Sequence, residues 1–189
     1  MRAGGEIVYV AVGANLGDRE ETFASVIRSI ELESDLQLLA ASSVFETEPL
    51  GPEGQPTYLN AALSLRSWLG PIELLGCLQA IESHLGRDRS REVVRWGPRA
   101  VDLDIIFFGD RCIQHPDLIV PHPRAHERAF VMAPLAELAP NFCHPVSGTE
   151  VAEIAAATMG GGDILIWPRP RGWPAPDRMA NQSSADPMD

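Results

Sequence analysis

The chain has 189 residues, 45% of them apolar, and a formal net charge of −11, which suits one folded domain and leaves too little length for two ordinary ones. The acidic balance argues against a protein that coats nucleic acid, and the lack of a long unbroken apolar run or a small-residue cleavage site argues against a membrane span or an export signal. All 15 basic residues are arginine, so mechanisms that need a lysine, the Schiff base and the P-loop among them, are excluded, and guanidinium forks are left as the anion ligands.

The stretch 6–12, EIVYVAV, reads as a strand apolar enough to be central in a sheet. A turn at 13–17 follows, and Asp18 with Glu21 three positions on marks a helix start. Phe23, Val26, Ile27 and Ile30 give the helix over about 19–33 an apolar stripe. The turn GANLG lacks the spacing of a dinucleotide-binding loop, and a plain strand-to-helix turn explains it. Stretches 38–47 and 58–67 are β-compatible, and the Pro- and Gly-rich segment between them is a candidate pocket wall. Asn60, a polar residue in an apolar run, needs hydrogen-bond partners, and a ligand is one choice.

Pro71 at a first helical position and Gly86 past the end bound a second helix, with Gln79 and Glu82 bordering its apolar stripe. Arg87, Arg89, Arg91, Arg95 and Arg99 crowd the next segment, whose 87–94 part has no period and reads as a mobile loop. After a strand at 101–108, prolines 116, 121 and 123 fix an irregular path, followed by short helices over about 127–138 and 151–159. We expect a folded unit over 1–168 and a disordered tail over 169–189, which has little apolar periodicity. The order strand, helix, two strands, helix, strand predicts an α+β, ferredoxin-like (split βαβ) antiparallel sheet with added C-terminal helices. Cys77, Cys112 and Cys143 are odd in number and widely spaced, which suits reduced thiols of the cytoplasm.

The organising stretch is 95–110, RWGPRAVDLDIIFFGD. Period two puts Asp102 and Asp104 on one strand face with Ile106 and Phe108, opposite Val101, Leu103, Ile105 and Phe107. Two carboxylates entering an oily face ask for a cation. Arg95 and Arg99 can supply it, which would make the acids a capped strand end; so can Mg²⁺, whose preference for hard oxygen suits paired carboxylates with phosphate. With both present the site is built for polyphosphate. The histidines lack metal spacing, and Trp96 either stacks on a planar ligand or is buried.

These motifs, RWGPRAVDLD at 95–104, GANLGD at 13–18, LGPEGQPTYLNAA at 50–62 and VPHPRAHERAF at 120–130, resemble the 6-hydroxymethyl-7,8-dihydropterin pyrophosphokinases of folate synthesis over about residues 6–140. The resemblance implies a ferredoxin-like fold and transfer of the β,γ-diphosphate of ATP to the pterin hydroxymethyl oxygen, with release of AMP. It implies that Asp102 and Asp104 hold two Mg²⁺ ions and that Arg95 and Arg99 bind phosphates and act in catalysis, assisted by Arg87 and Arg89. Gln79, Glu82, His122 and Arg128 fall on its nucleotide side. Thr47, Leu50, Tyr58 and Asn60 fall on its pterin side, where Trp96 and Phe130 enclose the ring. The partners it implies are these two small molecules; the chain is expected in the cytoplasm, as a monomer or a weak homodimer, and its composition points to neither nucleic acid nor membrane as a partner. The chain departs from the usual pattern in reading GAN for GSN, in Glu48 before Pro49, in Pro123 after His122 and in a longer 91–94 segment.

Overall fold

The computed structural model describes residues 4–51, 54–88, 97–159 and 164–175. Its elements are β1 (Glu6–Ala14), α1 (Arg19–Leu32), β2 (Leu36–Ala41), β3 (Val44–Thr47), β4 (Tyr58–Ser67), α2 (Pro71–His84), β5 (Asp102–Phe108), the small hairpin β6 (Ile113–His115) and β7 (Leu118–Val120), α3 (Ala129–Leu138), α4 (Val151–Thr158) and β8 (Ile164–Trp167). The main sheet runs β5-β1-β4-β3-β8, with β2 pairing β4 farther along the same edge. Every pairing is antiparallel. This is the split βαβ order expected from the sequence.

Local chemistry sets the helix ends. The Asp18 carboxylate accepts the Glu21 N–H at 3.0 Å and opens α1. Gly86, at φ +94°, lets the chain reverse after α2, so that the Arg87 N–H reaches the Glu82 carbonyl at 2.9 Å.

The sheet is covered on both sides. On one, Val8, Val10, Val12, Leu63 and Leu65 pack with Phe23, Val26, Ile27 and Ile30 of α1 and Leu74, Leu78 and Ile81 of α2. On the other, Tyr9, Ala62, Ile106 and Phe107 pack with Val131, Met132, Leu135 and Leu138 of α3 and Val151 and Ala155 of α4. Because α3 starts only at Ala129, the second face is bare toward one end of β1, β4 and β5, and the site lies there.

Four expectations are corrected in detail. The β5 alternation breaks at Ile106, an extra residue between the pairs Val10–Ile105 and Tyr9–Phe107. This bulge shifts the phase by one, so Phe107 joins the α3 side and Phe108 the α1 side, the reverse of a strict period of two. Asp102 and Asp104 precede it and keep their common face. The single strand expected at 38–47 is two, because at Ser42 a side chain replaces the ladder: its hydroxyl accepts the Ala62 N–H at 2.8 Å. The helix expected from 127 starts at Ala129, after a 3-10 turn at Ala125–Glu127 and an extended Arg128.

The packed chain also passes the boundary expected at 168. Trp173 is only 4% exposed, its ring centroid lies 5.0 Å from that of Phe23 and its indole N–H donates to the Ser42 carbonyl at 2.8 Å. Residues 176–189 of the expected tail, and 89–94 of the expected mobile loop, lie outside the described residues.

Candidate active site

Four strand ends meet at the site, where β1 and β3 finish and β4 and β5 begin. Register makes the floor: Gly13 lies between Asn60 of β4 and Asp102 of β5, and one step back Ala11 lies between Ala62 and Asp104. Polar residues on the flanking strands thus stand beside the two smallest residues of β1. Over this floor opens a cavity of about 670 Å³. Thr47, Leu50, Tyr58 and Asn60 line it on one side, Arg99, Asp102 and Asp104 on the other, and Arg124, Glu127, Arg128 and Phe130 from the start of α3.

Asp102 is the best-held acid. Its Oδ1 accepts from Arg87 and its Oδ2 from Arg99, both at 2.5 Å. Burial alone would raise its pKa, but the two guanidiniums outweigh burial and keep it below the usual carboxylate range. Behind it, Glu82 is 1% exposed and accepts from Arg87 at 2.6 Å and from the Leu103 N–H at 2.7 Å. Glu82, Arg87, Asp102 and Arg99 therefore form one alternating chain of charge that ends at the cavity.

Asp104 has the opposite environment. Burial first, and the Asp102 charge second, push its carboxyl up to about 7, only partly opposed by Arg128. His122 stays neutral more readily than a free histidine, through burial and the nearby Arg128 charge, and its Nδ1 accepts the Arg124 N–H at 3.2 Å.

The acids suit a divalent cation. Two hard carboxylates on alternate positions of one strand face the same cavity, and burial and the neighbouring Asp102 charge raise the pKa of one of them, which a cation would lower again. Among the described residues no third Asp, Glu, His or Cys completes a metal cluster. Most of a Mg²⁺ shell would then come from phosphate and water, the usual habit of that ion.

The opposite wall carries paired polar side chains and aromatic rings. The Asn60 amide donates to the Thr47 hydroxyl at 2.8 Å, and both side chains are buried. The Tyr58 hydroxyl donates to the Gly97 carbonyl at 3.1 Å. Phe130 lies 5.8 Å from the Arg128 guanidinium carbon, ring centroid to cation.

The sequence family described as 7,8-dihydro-6-hydroxymethylpterin-pyrophosphokinase (HPPK) matches residues 9–140. The chain belongs to this family. The 2-amino-4-hydroxy-6-hydroxymethyldihydropteridine pyrophosphokinase of Bacillus subtilis is 40% identical over 166 residues, 88% of this chain and 93% of that one. The enzyme of the same name from Pseudomonas aeruginosa is 42% identical over 150 residues, 79% of this chain and 90% of that one. Among solved structures, Plasmodium falciparum HPPK-DHPS with pteroate superposes with a TM-score of 0.66 at 12% identity, over 85% of this chain and 45% of that one. That likeness concerns the fold, and this chain spans less than half of the longer one.

As a pyrophosphokinase site, the cavity gathers Thr47, Leu50, Tyr58, Asn60, Arg99, Asp102, Asp104, Arg128 and Phe130 of the residues expected from sequence. Leu50, 62% exposed, lies at the rim. Glu82 and Arg87 stand behind Asp102 rather than in the lining, and Gln79 and His122 lie outside the lining as well. Arg89, Arg95 and Trp96 lie outside the described residues. Sequence reasoning missed Arg124 and Glu127, an exposed ion pair at 3.2 Å. Their three-residue spacing in the run HPRAHER was the available signal. It also missed the floor residues Ala11 and Gly13, visible only once the register is known.

Proposed function

We propose that the chain transfers the β,γ-diphosphate of ATP to the hydroxymethyl oxygen of 6-hydroxymethyl-7,8-dihydropterin, with Asp102 and Asp104 as ligands of two Mg²⁺ ions. The observation that carries this reading is that both acids face one cavity whose far wall is the Thr47–Asn60 pair. Such a site holds a polyphosphate at one end and a flat heterocycle at the other. The new bond joins the hydroxymethyl oxygen to the β-phosphorus, the bond from that phosphorus to the α-β bridging oxygen breaks, the electron pair leaves on AMP, and the hydroxyl proton is released to solvent.

Bound Mg²⁺ supplies charge neutralisation across the phosphates and lowers the pKa of the acceptor hydroxyl. The chain's residues do the positioning. Arg99, which caps Asp102 Oδ2, would leave that oxygen free to hold a cation when it turns its guanidinium to the phosphates, where negative charge develops. Arg87 keeps Oδ1 and with Glu82 fixes the strand end that carries both acids. Arg128 adds positive charge from the start of α3, joined in this reading by Arg89 and Arg95, while Gln79 and His122 border the nucleotide. Thr47 and Asn60 read the polar edge of the pterin, Leu50 and Tyr58 complete its wall, and Trp96 and Phe130 enclose the ring. We place the enzyme in the cytoplasm as a monomer or a weak homodimer; its three free cysteines support the cytoplasmic part of this reading.

The test is product identity. Incubation with ATP, Mg²⁺ and the reduced pterin should yield AMP and pterin pyrophosphate in equal amounts, with no turnover in EDTA. ADP as the nucleotide product would overturn the proposal, and so would full turnover by Asp102→Ala or Asp104→Ala.

A further inference from the structure

Asn15 sits in the turn between β1 and α1, a residue to which the reaction above gives no part. It is 1% exposed, and a buried amide must spend its hydrogen bonds on neighbours. Those neighbours belong to two different walls of the cavity. Toward the segment before β5, its Oδ1 accepts the Arg99 N–H at 2.7 Å and its own N–H donates to the Arg99 carbonyl at 3.1 Å. Toward the segment before β4, its Nδ2 donates to the Pro56 carbonyl at 3.2 Å and to the Gln55 side-chain oxygen at 3.4 Å.

The two bonds to Arg99 grip one residue on both sides of its Cα, as a pair of ladder bonds would, although neither residue lies in a strand. The Arg99 main chain is thereby fixed relative to β1, whose Gly13 forms the cavity floor beside Asp102. Its side chain remains a quarter exposed and contacts Asp102 at the cavity edge. From this geometry we infer that Asn15 is a positioning residue: it anchors the Arg99 backbone, so that the guanidinium alone moves between Asp102 and phosphate, and its amide N–H₂ separately holds the 55–56 segment of the acceptor wall. The inference rests on the phosphate-binding reading of Arg99.

Two variants separate the two halves of the clamp. Asn15→Ala removes both links. Asn15→Asp keeps an oxygen to accept the Arg99 N–H but sets a second oxygen against the Pro56 carbonyl, which breaks only the acceptor-wall link. For Asn15→Ala we expect kcat to fall about 10- to 100-fold, in line with the loss of a buried hydrogen-bond pair, and amide hydrogen exchange at Arg99 to accelerate in the ligand-free protein. In an Arg99→Ala background the same substitution should lower kcat less than threefold, because the group that it positions is gone. For Asn15→Asp we expect the KM for the pterin to rise with kcat within about threefold of the parent.

Additive losses in the double variant would overturn the inference, as would unchanged exchange at Arg99 in Asn15→Ala. If Asn15→Ala does not fold, Asn15→Asp carries the test: a raised pterin KM with kcat kept supports the clamp, and equal loss of both overturns it. Failure of the underlying reading looks different, since Arg99→Ala alone would then leave turnover intact while the exchange result at Arg99 still reports on the anchor.

Discussion

Removing the Glu82 carboxylate tests whether the acidic site is held from behind. Glu82 is buried with Arg87, whose side chain is 5% exposed, and shares the neutralisation of that guanidinium with Asp102. In Glu82→Leu the Arg87 guanidinium keeps Asp102 but loses its closer-packed partner, and the Leu103 N–H loses its acceptor. Breaking a buried pair by removing one member costs about 3–5 kcal/mol, and an orphaned buried N–H about 1–3 kcal/mol. These terms overlap at one carboxylate, so we expect a total of ~4 kcal/mol. For a domain of this size that corresponds to a fall in Tm of roughly 8–16 °C.

The assay is thermal or urea unfolding of the ligand-free protein, with no substrate present. Glu82→Leu combined with Arg87→Leu should recover much of the loss, because two apolar residues replace an ion pair that gained little net free energy when it formed. Activity should stay low in the double variant, since among the described residues Arg99 is then the one cation left to steady Asp102. If Glu82→Leu lowers stability by less than about 1 kcal/mol, the carboxylate is not buttressing β5. Its effect on turnover would then have to come from contact with nucleotide.

Gly13→Ala places a methyl group 3.3 Å from Asn60 Oδ1 and 3.9 Å from the Tyr58 ring, with no backbone in the way. The fold should tolerate it, with Tm within a few degrees, while direct titration shows pterin affinity reduced at least tenfold; unchanged affinity would mean that the floor is not contacted. Because among the described residues no third acid joins Asp102 and Asp104 in a metal-binding group, Mg²⁺ alone should raise Tm little, and Mg²⁺ with a non-hydrolysable ATP analogue should raise it more than the separate shifts combined. A large shift from Mg²⁺ alone would refute that. His122 and His144 both have pKa values lowered first by burial. The unfolded chain therefore takes up protons at a higher pH than the folded one, so their contribution to stability is full above about pH 6.5 and is lost as pH falls through their folded values. Urea midpoints between pH 7.5 and 5.5 should drop less in His144→Gln than in the parent.

The parts of the site that sequence made legible are those governed by short-range periodicity. Asp102 and Asp104 are two apart on a strand, so their common face follows from backbone geometry alone. Asn60 announced itself as a polar group in an apolar strand, and its partner is Thr47. That pairing needed the β3–β4 register, which no local pattern contains. The bulge at Ile106 was hidden because the four apolar residues from 105 to 108, read without their partners, carry no mark of where the alternation slips. Trp173 was lost to the tail for the same reason: a single aromatic residue has no period, and its slot against Phe23 and Ser42 is made by chain 130 or more residues earlier.

The charged residues show the limit in its clearest form. Sequence offered two readings of the acids, a strand end capped by arginines or a cation site, and the structure shows the arginine cap on Asp102 alone. Asp102 is capped on both oxygens, while for Asp104 in the next position of the same face burial and the Asp102 charge outweigh the more distant Arg128 and Arg99. An arrangement made only for stability would pair both acids or bury neither, since an uncompensated carboxylate is the costly case. The asymmetry makes sense when one acid is secured by protein and the other waits for a ligand's cation, with Arg99 able to pass from the first to the incoming phosphates.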